Sequence, residues 1–307
     1  MLPKTLRLAF ACIAWLYGTH SEAQYSNYHE PYQDTRGSSG LNFYLGGNTF
    51  LGDLGGTKGK GAPFIKDFNS NTIRPFLGGS YTYFPFTWLS VKGGLHYTWV
   101  TGADSLIKIK TGNAYGRYIR NLNFKSALAE ASVEAELYPL QTIWKYGEAD
   151  WRPYLASGIG VFHFNPKGWL NGKWYELHPL HLEGQGFAEY PERKTYTRTQ
   201  MYVPFTLGLK HRLSNSYFLS LSATFRKTFT DYLDDVSTTY IDPNLFDKYL
   251  SPANAALAKQ LSYRAAFTEI SQTGIQRGES HKDSYTTVFF SITYLFDNRY
   301  GYRYIGN

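Results

Sequence analysis

The feature that most constrains this chain is a strict two-residue alternation of apolar and polar side chains, a period that suits only β-strands. In Met201 to Leu213 it is cleanest: Met201, Val203, Phe205, Leu207 and Leu209 share one parity, and Tyr202, Thr206, Gly208 and Lys210 the other. After a polar Ser214-Asn215-Ser216 turn it resumes, with Leu219, Leu221, Ala223 and Phe225 opposite Ser220, Ser222, Thr224 and Arg226. It recurs around Leu89 to Trp99, Ser126 to Leu137 and Thr287 to Phe296, and more weakly in Leu41 to Gly47, Ile73 to Phe84 and Tyr154 to Phe164, which makes eight segments. Strands of globular proteins have about 5–6 residues. Several of these runs reach the roughly 9–11 residues of a tilted transmembrane strand.

Lipid leaves no unpaired sheet edge satisfied, so long alternating strands in a membrane must close on themselves. The expected fold is therefore all-β: an eight-stranded antiparallel transmembrane β-barrel with long external loops and one short loop helix. Composition fits this reading. Phe, Trp and Tyr number 21, 7 and 27, an excess that would supply interfacial girdles. A secreted sandwich or lipocalin-like barrel also alternates, but with shorter strands.

The N-terminus reads as a secretory signal: Lys4 and Arg7, an apolar run from Leu8 to Gly18, then Ser21-Glu22-Ala23 before Gln24. The expected division is a signal peptide (1–23), a short periplasmic segment (24–38), an outer-membrane barrel (39–297) and a periplasmic tail (298–307). The lone Cys12 falls within the signal, which leaves the remainder without thiol or disulfide chemistry. Long connections (48–72, 102–118, 166–198, 232–283) alternate with shorter ones (around Phe84-Pro85-Phe86, 140–150, 214–216). Outer-membrane barrels alternate this way, with short turns in the periplasm, so both termini are expected there. In the seventh connection, Ser251 as cap, Pro252 at the first helical position and an Ala- and Leu-rich run from Ala253 to Ala266 predict a helix over the barrel mouth.

If the apolar parity faces lipid, the other parity sends Arg74, Lys92, Lys210 and Arg226 inward against Glu130, Glu134 and Glu136. Eight strands enclose a space that side chains can fill, and buried charges pair, so a plugged interior and not a pore is expected. Signs of chemistry are thin. His178 and His181, near Glu176 and Glu183, could build a metal or catalytic site, yet they lie in a loop that nothing holds rigidly. Asp231, Asp234, Asp235 and Asp242 lack the spacing of a calcium loop. The Gly55–Gly61 stretch has no Ser or Thr after its Lys and no helix behind it, unlike a phosphate loop. The net charge of +7 is spread along the chain and implies no nucleic-acid partner. No catalytic residue, cofactor or metal is expected. A lipid-modifying barrel enzyme and a surface ligand or adhesion barrel remain as alternatives.

Several stretches resemble the PorG-like outer-membrane proteins of the type IX (Por) secretion system. Tyr44 to Leu54 (YLGGNTFLGDL) is similar to the family's opening Gly-Gly-(Ser/Asn)-x-(Tyr/Phe)-x-Gly-Asp-Leu. Arg120 to Ser126 (RNLNFKS) resembles the start of its fourth strand, and Tyr154 to Tyr175 its fifth strand with the loop after it. Pro204 to Leu213, followed by Arg226 to Ser237 (RKTFTDYLDDVS), is the most distinctive match. The resemblance implies a non-enzymatic secretion component, set in outer-membrane lipid, that ties the periplasmic PorK–PorN ring to the outer membrane. Contacts with that ring are then expected from Trp144, Lys145 and Tyr146 in the fourth connection and from Arg299, Tyr300, Tyr302, Arg303 and Tyr304 in the tail. Exposed aromatics beside arginine are common at interfaces.

Overall fold

A computed structural model describes residues 35–54, 70–107, 113–143, 151–264, 273–279 and 281–296. The signal segment, the Gly55–Gly61 stretch, Trp144, Lys145, Tyr146 and the tail from residue 297 lie outside the described residues.

The alternating segments pair as β1 (Ser39–Leu51), β2 (Arg74–Phe86), β3 (Leu89–Ala103), β4 (Asn123–Leu137), β5 (Trp151–Leu170), β7 (Thr199–Arg212), β8 (Tyr217–Thr228) and β9 (Ser284–Leu295). Neighbours are antiparallel in the order β4-β3-β2-β1-β9-β8-β7-β5, and β4 pairs with β5 to close the ring. This is a closed eight-stranded barrel. The connections 52–73, 104–122, 171–198 and 229–283 all leave one end of it. The chain enters β1 and leaves β9 at the other end, beside the short turns.

Two features go beyond the alternation. The fifth strand runs 20 residues, well past Phe164, and folds back through the short strand β6 (Lys173–Glu176). The turn between them is Asn171-Gly172, with φ of 47° and 83°, the left-handed pair that a two-residue hairpin requires. Helices are also more numerous than expected: α1 (Asn113–Arg120), α2 (Leu140–Ile143), α3 (Asn244–Tyr249) and α4 (Pro252–Ser262). Of these, α4 is the one expected from the sequence. The Ser251 side chain accepts from the Asn254 amide, and Pro252 occupies the first turn. The others are too short to be stable on their own and form because tertiary contacts hold them.

Apolar residues on the outer parity are well exposed: Leu45 at 63%, Leu95 at 70%, Leu207 at 64%. An apolar band of this extent on a closed barrel has a lipid bilayer as its solvent. Tyr81, Tyr83, Trp151, Tyr217 and Tyr294 ring the short-turn end on that outer face. The aromatic excess does not serve girdles alone, however. Tyr44, Phe76, Phe84, Phe162, Tyr202, Phe218, Tyr285 and Phe289 are buried. Their parity is inward, so they help to fill the barrel. Gly160 and Gly208, each on the inner parity, make room for these rings, because Tyr202 and Tyr154 from the neighbouring strand fold over them. A Cβ at Gly208 would stand 2.3 Å from the Tyr154 ring. Gly208→Ala should therefore destabilise the barrel by about 1–3 kcal/mol, the usual cost of overpacking. An unchanged urea midpoint for the refolded variant would contradict that packing.

Candidate functional site

The interior of the barrel is a paired charge network. Lys92 Nζ lies 3.3 Å from Glu134 and 3.1 Å from Glu136, Lys210 Nζ 3.1 Å from Glu136, and Arg226 Nε 2.9 Å from Glu130. Glu130 also accepts from the Tyr202 and Tyr285 hydroxyls, and Glu136 from Ser90 and Tyr138. Each carboxylate is thus held by both cations and neutral donors, which is what a buried charge needs. Arg74 does not join this network. It is the first residue of β2, at the rim, and its guanidinium turns back to the carbonyls of Asn71 and Ile73. Sequence parity does not give its depth: at the rim Arg74 stands beside the outward residues Trp99 and Lys125. Arg152, by contrast, is buried and stacks 5.3 Å from the Phe218 ring. The sequence alternation begins the fifth strand at Tyr154, whereas β5 starts at Trp151 and so includes Arg152.

Above the barrel, the four long connections are tied together by a buried knot. Asp104, at the end of β3, accepts from Arg120 Nε and Nη2 at 2.8 and 2.9 Å and from the Leu122 amide at 2.9 Å. Arg120 further donates to the carbonyls of Asp53 and Arg277. Asp53 in turn accepts from the Glu279 amide at 2.7 Å. Glu183, from the third of these connections, accepts from the Ser237 and Thr238 amides, from Thr238 Oγ1 and from Arg277 Nη1, all between 2.7 and 3.0 Å. Asp235 accepts from Tyr196 Oη at 2.7 Å. The stretch Asp231 to Ser237 holds its own tight turns through Asp231–Ser237 and Asp234–Val236 bonds, with Asp235 at φ of 63°. Leu54, Leu233 and Val236 pack with Phe124, Phe162 and Tyr285 in one core, which seats the cap on the barrel. A second core, with Leu177, Leu180, Phe187, Phe246, Ala258 and Leu261, joins α3 and α4 to the 171–198 connection.

Sequence reasoning did not single out Asp53, Asp104, Arg120, Arg277 or Asp283 as a site, since they lie far apart in the chain. A signal was nonetheless present. Asp53 lies in Gly-Asp-Leu, Arg120 opens Arg-Asn-Leu-Asn-Phe, and Asp231 to Ser237 closes the most distinctive stretch of the family resemblance.

The knot has a definite electrostatic consequence. Burial raises the Asp53 carboxyl to about 6, against the pull of Arg120 and Arg117. Burial likewise raises Asp231 and Asp235 to about 7, opposed by Ser237 and Lys282 at the first and by Arg277 and Tyr196 at the second. Asp234 and Asp283 are pushed well above the carboxylate range, by burial first and then by neighbouring carboxylates. A carboxyl whose pKa is higher in the folded cap binds protons better there than in the opened chain. Its contribution is fully present below the ordinary value of 3.8 and is lost as pH rises through about 6 to 7. Protease cleavage within 229–283 should accordingly be slower at about pH 5 than at about pH 8, after correction for the protease's own pH profile. The opposite order would contradict the burial of these carboxyls.

The histidine constellation is not assembled. His178 Nε2 lies 2.9 Å from the Tyr196 carbonyl, Glu183 is committed to the knot, and Glu176 pairs with Lys167 and Asn165. The acidic residues also separate, since Asp242 accepts from the Asn244 amide at the start of α3. Among the described residues, no group of three His, Cys, Asp or Glu is placed to hold a metal.

No family model and no curated protein matches the chain. Among solved structures it is similar to the attachment invasion locus protein Ail of Yersinia pestis (8% identity, 85% of this chain and 99% of that chain covered, TM-score 0.36). It is similar, too, to neisserial surface protein A (7%, 84% and 97%, TM-score 0.36) and to the outer membrane protein OprG of Pseudomonas aeruginosa (11%, 86% and 99%, TM-score 0.32). That this chain forms a closed antiparallel barrel follows from its own strand pairing.

Proposed function

We propose that this protein is a non-enzymatic, non-conducting barrel of the outer membrane that anchors the periplasmic PorK–PorN ring of the type IX secretion system. The observation that carries this reading is that polar residues from three of the stretches bearing the family resemblance share one structural role. Asp53, Arg120 and the Asp231–Ser237 stretch come from three different connections and meet in one buried knot. The paired charges and aromatic rings inside the barrel support a rigid anchor over a conduit. On this reading the short-turn end faces the periplasm, and the ring contacts expected from the 140–150 connection and the tail lie on that side.

Affinity purification of the tagged full chain from outer membranes tests the proposal. PorK and PorN should co-purify, and deleting 298–307, or replacing Trp144 and Tyr146 by alanine, should reduce their recovery. Full recovery without the tail would remove the tail's role; no recovery with the intact chain would overturn the anchor itself.

A surface ligand or adhesion barrel is a second reading, favoured by the separate hydrophobic core of the cap. Loops that merely connect strands have no need of one. On that reading, trimming 171–198 would abolish surface binding and leave secretion intact.

A further inference from the structure

At the long-loop rim, on the outer face of the barrel, lies a cleft of about 500 Å³ lined by Arg74, Trp99, Thr101, Leu106, Lys125 and Trp174. Arg74 spends two bonds on backbone carbonyls but pairs with no carboxylate among the described residues. Lys125 is exposed on the outer parity of β4, directly across from Lys167 on β5, and likewise has no acidic partner among them. Lys167 has Glu176 at 3.4 Å, whereas Arg74 and Lys125 have no carboxylate partner among the described residues, so the cleft carries net positive charge. Thr101 is 9% exposed, and its buried hydroxyl has no hydrogen-bond partner. The walls are two indoles, Trp99 and Trp174, the latter set by its edge contact with Trp169 across the β5–β6 hairpin. Below the cleft the same outer face continues into the apolar band through Tyr97, Leu95 and Val133.

A ligand that suits all of this has an anionic head with flat saccharide faces and an acyl tail. We propose that the cleft holds the phosphorylated headgroup of a glycolipid in the outer leaflet. Arg74 and Lys125 grip the phosphate, the indoles cover the sugar, and the acyl chains lie along Tyr97, Leu95 and Val133. Basic pockets at a membrane surface recognise lipid headgroups in this way, and charge-assisted bonds to phosphate are the strong ones. The proposal rests on the long-loop end facing outward.

The test is native mass spectrometry of the full chain in detergent, titrated with lipid A, dephosphorylated lipid A, phosphatidylglycerol or inorganic phosphate. Lipid A should be retained, and the Arg74→Gln/Lys125→Gln variant should weaken it about tenfold or more, the loss of charge-assisted bonds. Trp174→Ala should weaken it as well, while Lys125→Arg should bind nearly as the parent does. Equal retention by the double variant, or equal affinity for the dephosphorylated form, would overturn the proposal. So would competition by phosphatidylglycerol or by phosphate alone at similar concentration, which would point to a generic anion site. A protease site inserted at Asn171-Gly172 and probed on intact cells reads orientation separately. Protection there, with lipid A binding intact in vitro, would refute the outward orientation and the outer-leaflet ligand together but leave the cleft's chemistry standing.

Discussion

Glu136→Ala should be the most damaging single change inside the barrel, lowering its stability by about 3–5 kcal/mol, as removal of one partner from a buried ion pair does. Glu136 bridges Lys92 and Lys210, and it also accepts from Ser90 and Tyr138. Lys92 retains Glu134 at 3.3 Å, but the only ion pair of Lys210 among the described residues is with Glu136. The variant therefore leaves a buried ammonium held by the Tyr138 hydroxyl and three aromatic rings. Adding Lys210→Met replaces that charge by an apolar side chain of similar length and should recover much of the loss, because a buried pair exchanged for apolar groups is often near neutral. Urea titrations of the refolded barrel in lipid vesicles would measure both. If Glu136→Ala costs under about 1 kcal/mol, the value typical of solvated surface pairs, the interior is hydrated and the filled-barrel account fails.

Glu183→Ala should act on the cap and spare the barrel. Its carboxylate joins two amides, one hydroxyl and Arg277, linking the 171–198 connection to 229–283. Without it Arg277 keeps only the carbonyls of Asp235 and Ser262 among the described residues, so a buried guanidinium loses its counter-charge. A cost near 3 kcal/mol, at the low end for such a loss, raises the opened fraction about a hundredfold. Proteolysis within 229–283 should quicken accordingly while the barrel keeps its resistance to unfolding. Unchanged cleavage would mean that the knot does not hold the cap.

The fold was legible because alternation is a local signal, and the barrel reproduces it residue by residue. Lys92, Lys210, Arg226 and the three glutamates lie on strands whose parity can be read directly. Arg74 was misplaced because parity says nothing of depth along the barrel axis. The knot was not legible as a site for a different reason. Asp53, Asp104, Arg120, Glu183 and Arg277 belong to separate connections, and only the closed ring brings those connections to one end. Asn171-Gly172 shows a limit of a different kind: the hairpin signal is in the sequence, but it lies beyond Phe164, where the alternation read for the fifth strand stops.

What the cell loses without this protein decides between an anchor and a surface barrel. A deletion strain assayed for export of type IX cargo should retain that cargo inside the outer membrane, and the full chain supplied in trans should restore its release. Normal export by the deletion strain would contradict the anchoring role.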